Sequence, residues 1–343
     1  MNTSPPAPLR IGIAGLGRMG RRHAENLAFR VRGCRLVAAC SPVADEREHA
    51  RRELGVSRVH ERFEDLLADP EVEALVLVTP TSLHAEQTIH SLESGRHVFV
   101  EKPLALDVES CLRAEEVAAR LPRQRAMVGF VRRFDASYAQ VRHDIDAGMI
   151  GRPFLVRSQT CDMNDPSGFF VRFSPTSGGI FADMSVHDID IARWYLGGAK
   201  ARRAWATGTV AIHQGLREHG DLDNGIAVVD FDDGRMATIY ASRTFAHGHE
   251  TTTEVIGTGG SLLIGQGAER DRVAIRDAHG VRRIATADFY ARFRDAFVAE
   301  LDAFVAACRG DGELPLTLSD ATEATRIALA ITRAVRTGEP QPL

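Results

Sequence analysis

A chain of 343 residues has room for two domains and a sizeable core, and its 44% hydrophobic and 26% charged content is typical of a globular protein. The net charge of −4, with Arg interleaved among Asp and Glu, lacks the strongly basic face of a nucleic-acid-binding protein. No apolar run approaches the roughly 20 residues of a membrane helix, so neither nucleic acid nor membrane is an expected partner.

The first third of the chain alternates apolar strands with helices. Residues 1–8 contain no apolar core, so we expect a short disordered lead there rather than a signal peptide. Strands are predicted at 9–14, 35–40, 74–78, 97–100 and 126–130, and helices at 18–29, 45–54, 61–68, 83–93 and 109–120. Continuous apolar strands separated by helices predict a parallel sheet covered on both faces in residues 9–128.

After about residue 130 the pattern changes to strands at short spacing. Helices are predicted at 138–147, 189–195, 291–307 and 320–337, and strands at 154–160, 201–212, 225–231, 236–242, 250–257 and 273–276. A turn at Asp232-Asp233-Gly234 indicates a hairpin. Residues 129–343 are therefore expected to form a largely antiparallel sheet, and its broad uncovered face favours a homo-oligomer.

The cysteines are scattered and odd in number. None of the five forms a pair with the two-residue spacing of a zinc or redox site. We therefore expect free, mostly buried thiols in a reducing compartment, which predicts a cytoplasmic location. The five positions are Cys34, Cys40, Cys111, Cys161 and Cys308.

A glycine-rich turn follows the first predicted strand and precedes the first helix. Gly15 permits the tight turn, Gly17 lets the backbone approach a pyrophosphate, and Gly20 lets helix and strand pack closely. Arg18 and Met19 lie within the turn, at the helix N-terminus, where unpaired N–H groups favour phosphate. The alternative is an ordinary strand–turn–helix connection, but context and spacing favour a dinucleotide site.

The choice between NAD and NADP depends on the end of the second strand. An acidic residue there would bind the ribose of NAD, but the position falls at Ser41, with Asp45 and Glu46 nearby. No Arg directly follows Ser41 to hold a 2′-phosphate, so NAD is favoured and NADP stays open. Thr79 and Thr81 follow another parallel strand at the edge where ligands bind, and are further candidates for cofactor contact.

A lysine comes just after the fourth strand, in Glu101-Lys102-Pro103. Removing a hydride from a secondary alcohol calls for a base and for a positive group beside the developing alkoxide. Lys102 at the carboxyl edge of the sheet meets the second need, with Glu101 next to the cofactor. The alternative is a surface lysine paired with Glu101.

Asp183 and His187 are four residues apart, so on a helix they share one face. His187 can accept a proton near neutral pH, and Asp183 can hold the relay or bind a substrate hydroxyl. The alternatives are a capping Asp with a packed His, or a metal site. No further ligands complete a metal site with standard spacing, so no metal is predicted.

Three motifs together resemble the glucose–fructose oxidoreductase/inositol dehydrogenase/rhizopine catabolism (Gfo/Idh/MocA) family over residues 9 to about 337. Residues 128–138 are similar to inositol dehydrogenases in particular. Ser41 departs from the family pattern, and residues 161–166 differ from the myo-inositol pattern and are closer to scyllo-inositol or related sugar dehydrogenases. The motifs are Gly15-x-Gly17-x-x-Gly20, Glu101-Lys102-Pro103 and Gly179-x-x-x-Asp183-x-x-x-His187.

The resemblance implies a fold, an assembly and a catalytic set. The fold is a Rossmann doubly wound parallel sheet followed by an α+β domain with a large, mostly antiparallel open sheet, often in homotetramers. It implies Lys102, Asp183 and His187 as catalytic residues, Arg132 in the substrate site and a cis Lys102–Pro103 peptide.

The segment at 161–166 supplies further candidates for substrate contact. Asp162, Asn164 and Asp165 can hydrogen-bond ring hydroxyls, or they can form a simple polar turn. The resulting hypothesis is an NAD(P)-dependent dehydrogenase acting on a cyclic polyol, myo- or scyllo-inositol, to give inosose. Alternatives are the same chemistry on a pyranose sugar, or a sugar-sensing regulatory relative without turnover.

Overall fold

The computed structural model describes residues 7–265, 269–278 and 280–343, and the side chains in these ranges except those of 269–272. Residues 1–6 of the predicted disordered lead lie outside this description. The chain divides into two compact units. The first comprises Met1–Val131 and Asp295–Thr322, and the second Arg132–Arg294 and Glu323–Leu343.

The first 130 residues alternate strands with helices, as the apolar pattern predicts. The strands are β1 (Leu9–Ala14), β2 (Cys34–Cys40), β3 (Arg58–His60), β4 (Ala74–Leu77), β5 (His97–Val100) and β6 (Ala126–Val128). The helices are α1 (Arg18–Phe29), α2 (Ala44–Glu53), α3 (Phe63–Leu67), α4 (Thr81–Glu93) and α5 (Val108–Arg120).

These strands form one parallel sheet in the order β3-β2-β1-β4-β5-β6. That order is the doubly wound arrangement in which ligands bind at the carboxyl edge, where the strand order reverses between β1 and β4. Ile11, Ile13, Val76 and Phe99 have no solvent exposure, because helices cover both faces of the sheet.

The rest of the chain adds six helices and nine strands within the described ranges. The helices are α6 (Ala136–Asp146), α7 (Phe169–Ser177), α8 (Ile180–Asp183), α9 (Val186–Tyr195), α10 (Phe289–Arg309) and α11 (Leu318–Thr337). The strands are β7 (Pro153–Met163), β8 (Ala201–Thr209), β9 (Asn224–Phe231), β10 (Met236–Phe245), β11 (Glu250–Gly257), β12 (Gly260–Ile264), β13 (Glu269–Asp277), β14 (Gly280–Ala285) and β15 (Gln341–Pro342).

The large sheet of the second unit has the order β12-β11-β7-β10-β9-β8-β15. Every neighbouring pair is antiparallel except β10 with β7, which is parallel. The mostly antiparallel open sheet that the sequence predicts is therefore present. Helix α9 packs on β7 and β10, and the strands bury every second residue on that face.

The first unit includes residues 295–322, although the sequence pattern places residues 129–343 in the second domain. The physical reason is a set of contacts made by α10. Phe304 packs edge-on against Phe99 with ring centroids 5.9 Å apart, and Asp302 accepts a hydrogen bond of 2.8 Å from the backbone N–H of Arg32. Helix α10, although late in the sequence, thus completes the core around the parallel sheet of the first unit.

Candidate active site

The glycine turn between β1 and α1 is shaped by close backbone approaches. Gly15 has φ +89°, and a Cβ there would lie 2.4 Å from the carbonyl oxygen of Val78. A Cβ on Gly20 would lie 2.0 Å from the carbonyl oxygen of Gly15, so both positions require glycine. A Cβ on Gly17 would meet nothing within 4 Å. The Cβ space at Gly17 is thus open where a pyrophosphate would approach.

The N-terminus of α1 accepts no side-chain cap at Gly17, so its first N–H groups are available to phosphate oxygens. Arg18 is exposed and Met19 half-buried at this end. The turn therefore fits the pyrophosphate of a dinucleotide.

A carboxylate lies at the end of β2, although the strand itself does not end in an acid. It belongs to Glu46, in the next helix, α2. The Ser41 hydroxyl donates a 2.6 Å hydrogen bond to Glu46. Arg47 donates to the carbonyl of Ser41 at 2.7 Å and pairs with Glu61 at 3.3 Å, so its guanidinium is already engaged. An acid at this position favours the ribose hydroxyls of NAD over a 2′-phosphate.

The loop after β4 is fastened to the loop after β5 by a buried histidine. The ring nitrogens of His84 lie 2.7 Å from the carbonyl oxygen of Thr79 and 2.8 Å from that of Pro103. The Thr79 hydroxyl donates to Gln87 at 2.6 Å, and Thr81 is the first residue of α4. Burial lowers the pKa of His84, as expected of a structural imidazole.

Lys102 follows the carboxyl end of β5, and its backbone N–H donates a 2.9 Å hydrogen bond to the Glu101 side chain. Glu101 is itself buried and lies 2.7 Å from Nε2 of His23. Burial opposes ionisation of Glu101, but His23 and the charge of Lys102 outweigh it and lower its pKa. The Lys102–Pro103 peptide is cis, which confirms what the resemblance implied.

In the second unit, Asp183 and His187 flank a break between two short helices rather than sharing one continuous helix. Asp183 ends α8, Met184 and Ser185 connect the two helices, and His187 lies in the first turn of α9. Both side chains are partly exposed. The Gly178-Gly179 turn that precedes α8 has φ values of +78° and +88°, a conformation that favours glycine.

A fully buried arginine supports Asp183. Arg243 donates to Asp221 at 2.8 Å and lies 3.5 Å from the Asp183 carboxylate. Asp221 also accepts the backbone N–H of Ile180 at 2.8 Å, which fixes the start of α8. The position of Asp183 is therefore determined from both ends of its helix.

The residue after His187 anchors α9 to the sheet. Asp188 has no solvent exposure and accepts hydrogen bonds from Arg132 at 2.7 Å and from Ser158 and Thr160 at 2.6 Å each. Arg132 is only 2% exposed. Burial alone would lower its pKa, but Asp188 outweighs this effect and raises it. Arg132 thus binds α9 directly in this structure.

The polar segment at the end of β7 divides into two kinds of residue. Asp162 is partly exposed and accepts a 2.8 Å hydrogen bond from Nδ1 of His249. Asp165 accepts the backbone N–H of Ser167 at 2.8 Å, and hydrogen bonds from the Ser167 side chain and backbone lower its pKa, as in a polar turn. The Asn164 backbone N–H donates to the carbonyl of Phe245 at 2.8 Å. Asp162 is the carboxylate best presented to a ligand.

Several residues of the site escape the sequence analysis. Arg243 and His249 lie 60 and 87 residues from the carboxylates that they bind, so no local motif connects them. The sequence places Glu46 near Ser41 as an acid, but nothing in the sequence shows the hydrogen bond between them. Only a predicted register between β7, β10 and β11 could have brought these side chains together.

Within the described residues, no helix is both long enough and apolar enough to cross a membrane.

The first unit has a doubly wound sheet with a glycine turn that fits a dinucleotide, and the second unit carries the carboxylate of Asp183 and the imidazole of His187. These features define the class of nicotinamide-dependent oxidoreductases. Two family models match the chain: "Oxidoreductase family, NAD-binding Rossmann fold" over residues 9–130, and "GFO/IDH/MocA C-terminal domain" over residues 138–263.

The relatives cover nearly the whole chain. It is 38% identical to the scyllo-inositol 2-dehydrogenase (NAD(+)) of Bacillus subtilis, over 98% of this chain and 96% of the relative. It is 32% identical to the myo-inositol 2-dehydrogenase of Thermotoga maritima, over 87% of each. The scyllo-inositol dehydrogenase of Lactobacillus casei, solved with bound NAD(H) and scyllo-inositol, superposes with a TM-score of 0.94 at 36% identity, covering 98% of this chain and 99% of that one. The chain belongs to the Gfo/Idh/MocA oxidoreductase family.

Proposed function

We propose that this protein is an NAD-dependent dehydrogenase that oxidises a secondary hydroxyl of myo- or scyllo-inositol to the corresponding inosose. The observation that carries the proposal is similarity to inositol 2-dehydrogenases along almost the entire chain. The Ser41–Glu46 pair at the end of β2 supports NAD over NADP.

The first unit is proposed to hold the cofactor. Gly15, Gly17 and Gly20 would receive the pyrophosphate, Ser41 and Glu46 the adenosine ribose. When bound, NAD supplies the acceptor for the hydride. Arg18, Met19, Thr79, Thr81 and Glu101 are proposed to complete the cofactor contacts.

Lys102, Asp183 and His187 are proposed to act on one substrate hydroxyl. The Lys102 ammonium would hydrogen-bond the reacting oxygen and stabilise the negative charge that develops on it. His187 would take the hydroxyl proton as general base, and Asp183 would hold substrate and imidazole in position. Lys102 and Lys200 are the only lysines in a chain with 42 Lys and Arg residues, so this position departs from a general preference for Arg.

The remaining hydroxyls of the ring would be bound by the second unit. Asp162, oriented by His249, is proposed as an acceptor for ring hydroxyls, and Asp165 as a second one beside its role in the turn. Arg132 is proposed to act on the substrate site through Asp188, which fixes the helix that carries His187.

Turnover measured by NADH absorbance tests these assignments. We expect Lys102→Ala and His187→Ala each to lower kcat by about a hundredfold or more, as loss of a positioned acid–base group does. Lys200→Ala and His143→Ala, at exposed positions, are the matched controls and should retain wild-type turnover. Wild-type turnover in both active-site variants would refute the catalytic roles.

A substrate panel tests the polyol assignment. We expect NAD reduction with myo- or scyllo-inositol. Reduction with glucose alone would replace the inositol assignment by a pyranose one. Absence of turnover with every polyol, together with tight polyol binding, would indicate a sensing role instead.

We also propose a homotetramer in the cytoplasm. The outer face of the large sheet exposes Trp205, Ile226, Met236 and Leu263 at 40–50%, which is apolar area that a second copy would cover. Sedimentation should give the mass of four chains, and Ile226→Glu should reduce it. None of the five described cysteines forms a disulfide bond, which is consistent with a reducing compartment, and cell fractionation tests the location.

A further inference from the structure

A buried cluster of three ionisable side chains lies beside the strand end that carries Lys102. His23 comes from α1, Glu101 from the end of β5 and Glu300 from α10, all within the first unit. His23 and Glu300 have no solvent exposure, and Glu101 has 8%. One ring nitrogen and one oxygen from each carboxyl group lie within 4.8 Å of one another.

The hydrogen bonds in this cluster leave one group unsatisfied. Glu101 accepts from Nε2 of His23 at 2.7 Å and from the backbone N–H of Lys102 at 2.9 Å. Neither oxygen of Glu300 accepts a hydrogen bond from a donor among the described residues. An ionised carboxylate in such a place would lose its hydration without compensation, which is among the costliest arrangements in a protein.

A shared proton fits the geometry better than a metal ion. Two ligand atoms about 2.1 Å from a tetrahedral ion are separated by about 3 Å or more. The 2.7 Å between His23 and Glu101 is a hydrogen-bond distance instead. Nδ1 of His23 has no partner among the described side chains and backbone, so the ring proton belongs on Nε2, where Glu101 accepts it.

The charges lead to the same assignment. Glu101 is stabilised as an anion by its two donors and by the nearby positive charge of Lys102, whereas Glu300 faces that anion. Burial and the charge of Glu101 therefore raise the pKa of Glu300 well above its usual value.

We propose that Glu300 is a neutral carboxylic acid at physiological pH whose O–H donates to Glu101, and that Glu300 and His23 are positioning residues for Lys102. Glu101 then has three donors: the Lys102 backbone, the His23 ring and the Glu300 acid. Together they fix the backbone from which the Lys102 side chain extends. The positioning role rests on the proposed function of Lys102, whereas the location of the proton does not.

Stability as a function of pH tests where the proton lies. In the unfolded chain Glu300 ionises near its ordinary pKa of about 4.3, while in the folded protein it stays protonated to higher pH. The folded state then binds more protons, so this group lowers stability as pH rises above that value. Glu300→Gln cannot ionise, so its Tm should gain on the wild type progressively as pH rises above about 5.

The ionisable groups beside Glu300 are His23 and Glu101, and both remain in the variant. Lys102, whose charge acts on Glu101, also remains. Glu313→Gln, at an exposed position, is the control and should follow the wild type at every pH. A Tm of Glu300→Gln that falls progressively below the wild type as pH rises would show that Glu300 is ionised, and would overturn the proposal.

Two further measurements on the purified protein sharpen this test. The infrared band of a protonated carboxyl group should be present at neutral pH in the wild type and lost in Glu300→Gln. Elemental analysis should find no stoichiometric divalent metal. A bound metal that disappears in Glu300→Gln would overturn the proton assignment in favour of a cation.

Kinetics test the positioning role. We expect Glu300→Leu, which lacks a donor, to lower kcat about tenfold with little change in KM, and Glu300→Gln, whose amide can donate, to restore most of that loss. Equal losses in both variants would overturn the positioning role. If Lys102→Ala keeps full turnover, the proposed function fails, while the pH dependence of stability still locates the proton.

Discussion

Removing the Asp188 carboxylate should be one of the most damaging single changes in the second unit. Asp188→Leu leaves the Arg132 guanidinium, whose side chain is 3% exposed, without the anion that balances it. It also removes the acceptor of two hydroxyl hydrogen bonds. Breaking a buried ion pair from one side costs about 3–5 kcal/mol. At about 2–4 °C per kcal/mol for a unit of this size, Tm should fall by about 6–20 °C.

Calorimetry on the single and double variants decides whether this reasoning holds. Adding Arg132→Met to Asp188→Leu should recover most of the lost stability, because an apolar pair removes the unbalanced charge. Arg203→Ala breaks a surface pair with Asp230 and should cost less than about 1 kcal/mol. The reasoning is refuted if Asp188→Leu melts within about 1 °C of the wild type, or if the double variant melts no higher than the single one.

Three further outcomes are expected. Gly20→Ala places a methyl group 2.0 Å from the Gly15 carbonyl oxygen and should abolish NAD binding in calorimetric titrations. Asp162→Ala should raise KM for the polyol at least about tenfold, more than Asp165→Ala, because only Asp162 combines exposure with a supporting histidine. Burial, together with two nearby acids, raises the pKa of Cys40 to about 12. Only about one molecule in ten thousand then carries the Cys40 thiolate at about pH 8, so a thiol reagent should label it only after unfolding.

The first unit follows closely from its sequence because its signals are local. The predicted helix at 18–29 has the same bounds in the structure, since a glycine turn starts it and its apolar residues have helical spacing. Strand β3 (Arg58–His60) cannot be predicted in this way, because three residues without alternation carry no periodic signal. The assignment of residues 295–322 to this unit depends on tertiary packing, which periodicity does not encode.

The candidate site could be predicted only in its motif residues. Lys102, Asp183 and His187 stand in recognisable local patterns. Their supporting residues do not: Arg243 reaches Asp183 across 60 positions of sequence. Glu300 falls within a predicted helix, and nothing there distinguishes a buried acid from a solvated one. Long-range pairing of charged groups is decided by register and packing, which a single sequence leaves open.

The contribution of α10 to the first unit has a consequence for synthesis on the ribosome. Translation delivers the parallel sheet long before Phe304, which covers Phe99. The nascent N-terminal segment that ends at Val131 therefore keeps part of its apolar surface open until the chain has been synthesised as far as Phe304. Because the chain is synthesised in this order, we expect chaperones to bind it during translation. We also expect a fragment that stops near residue 131 to be poorly soluble.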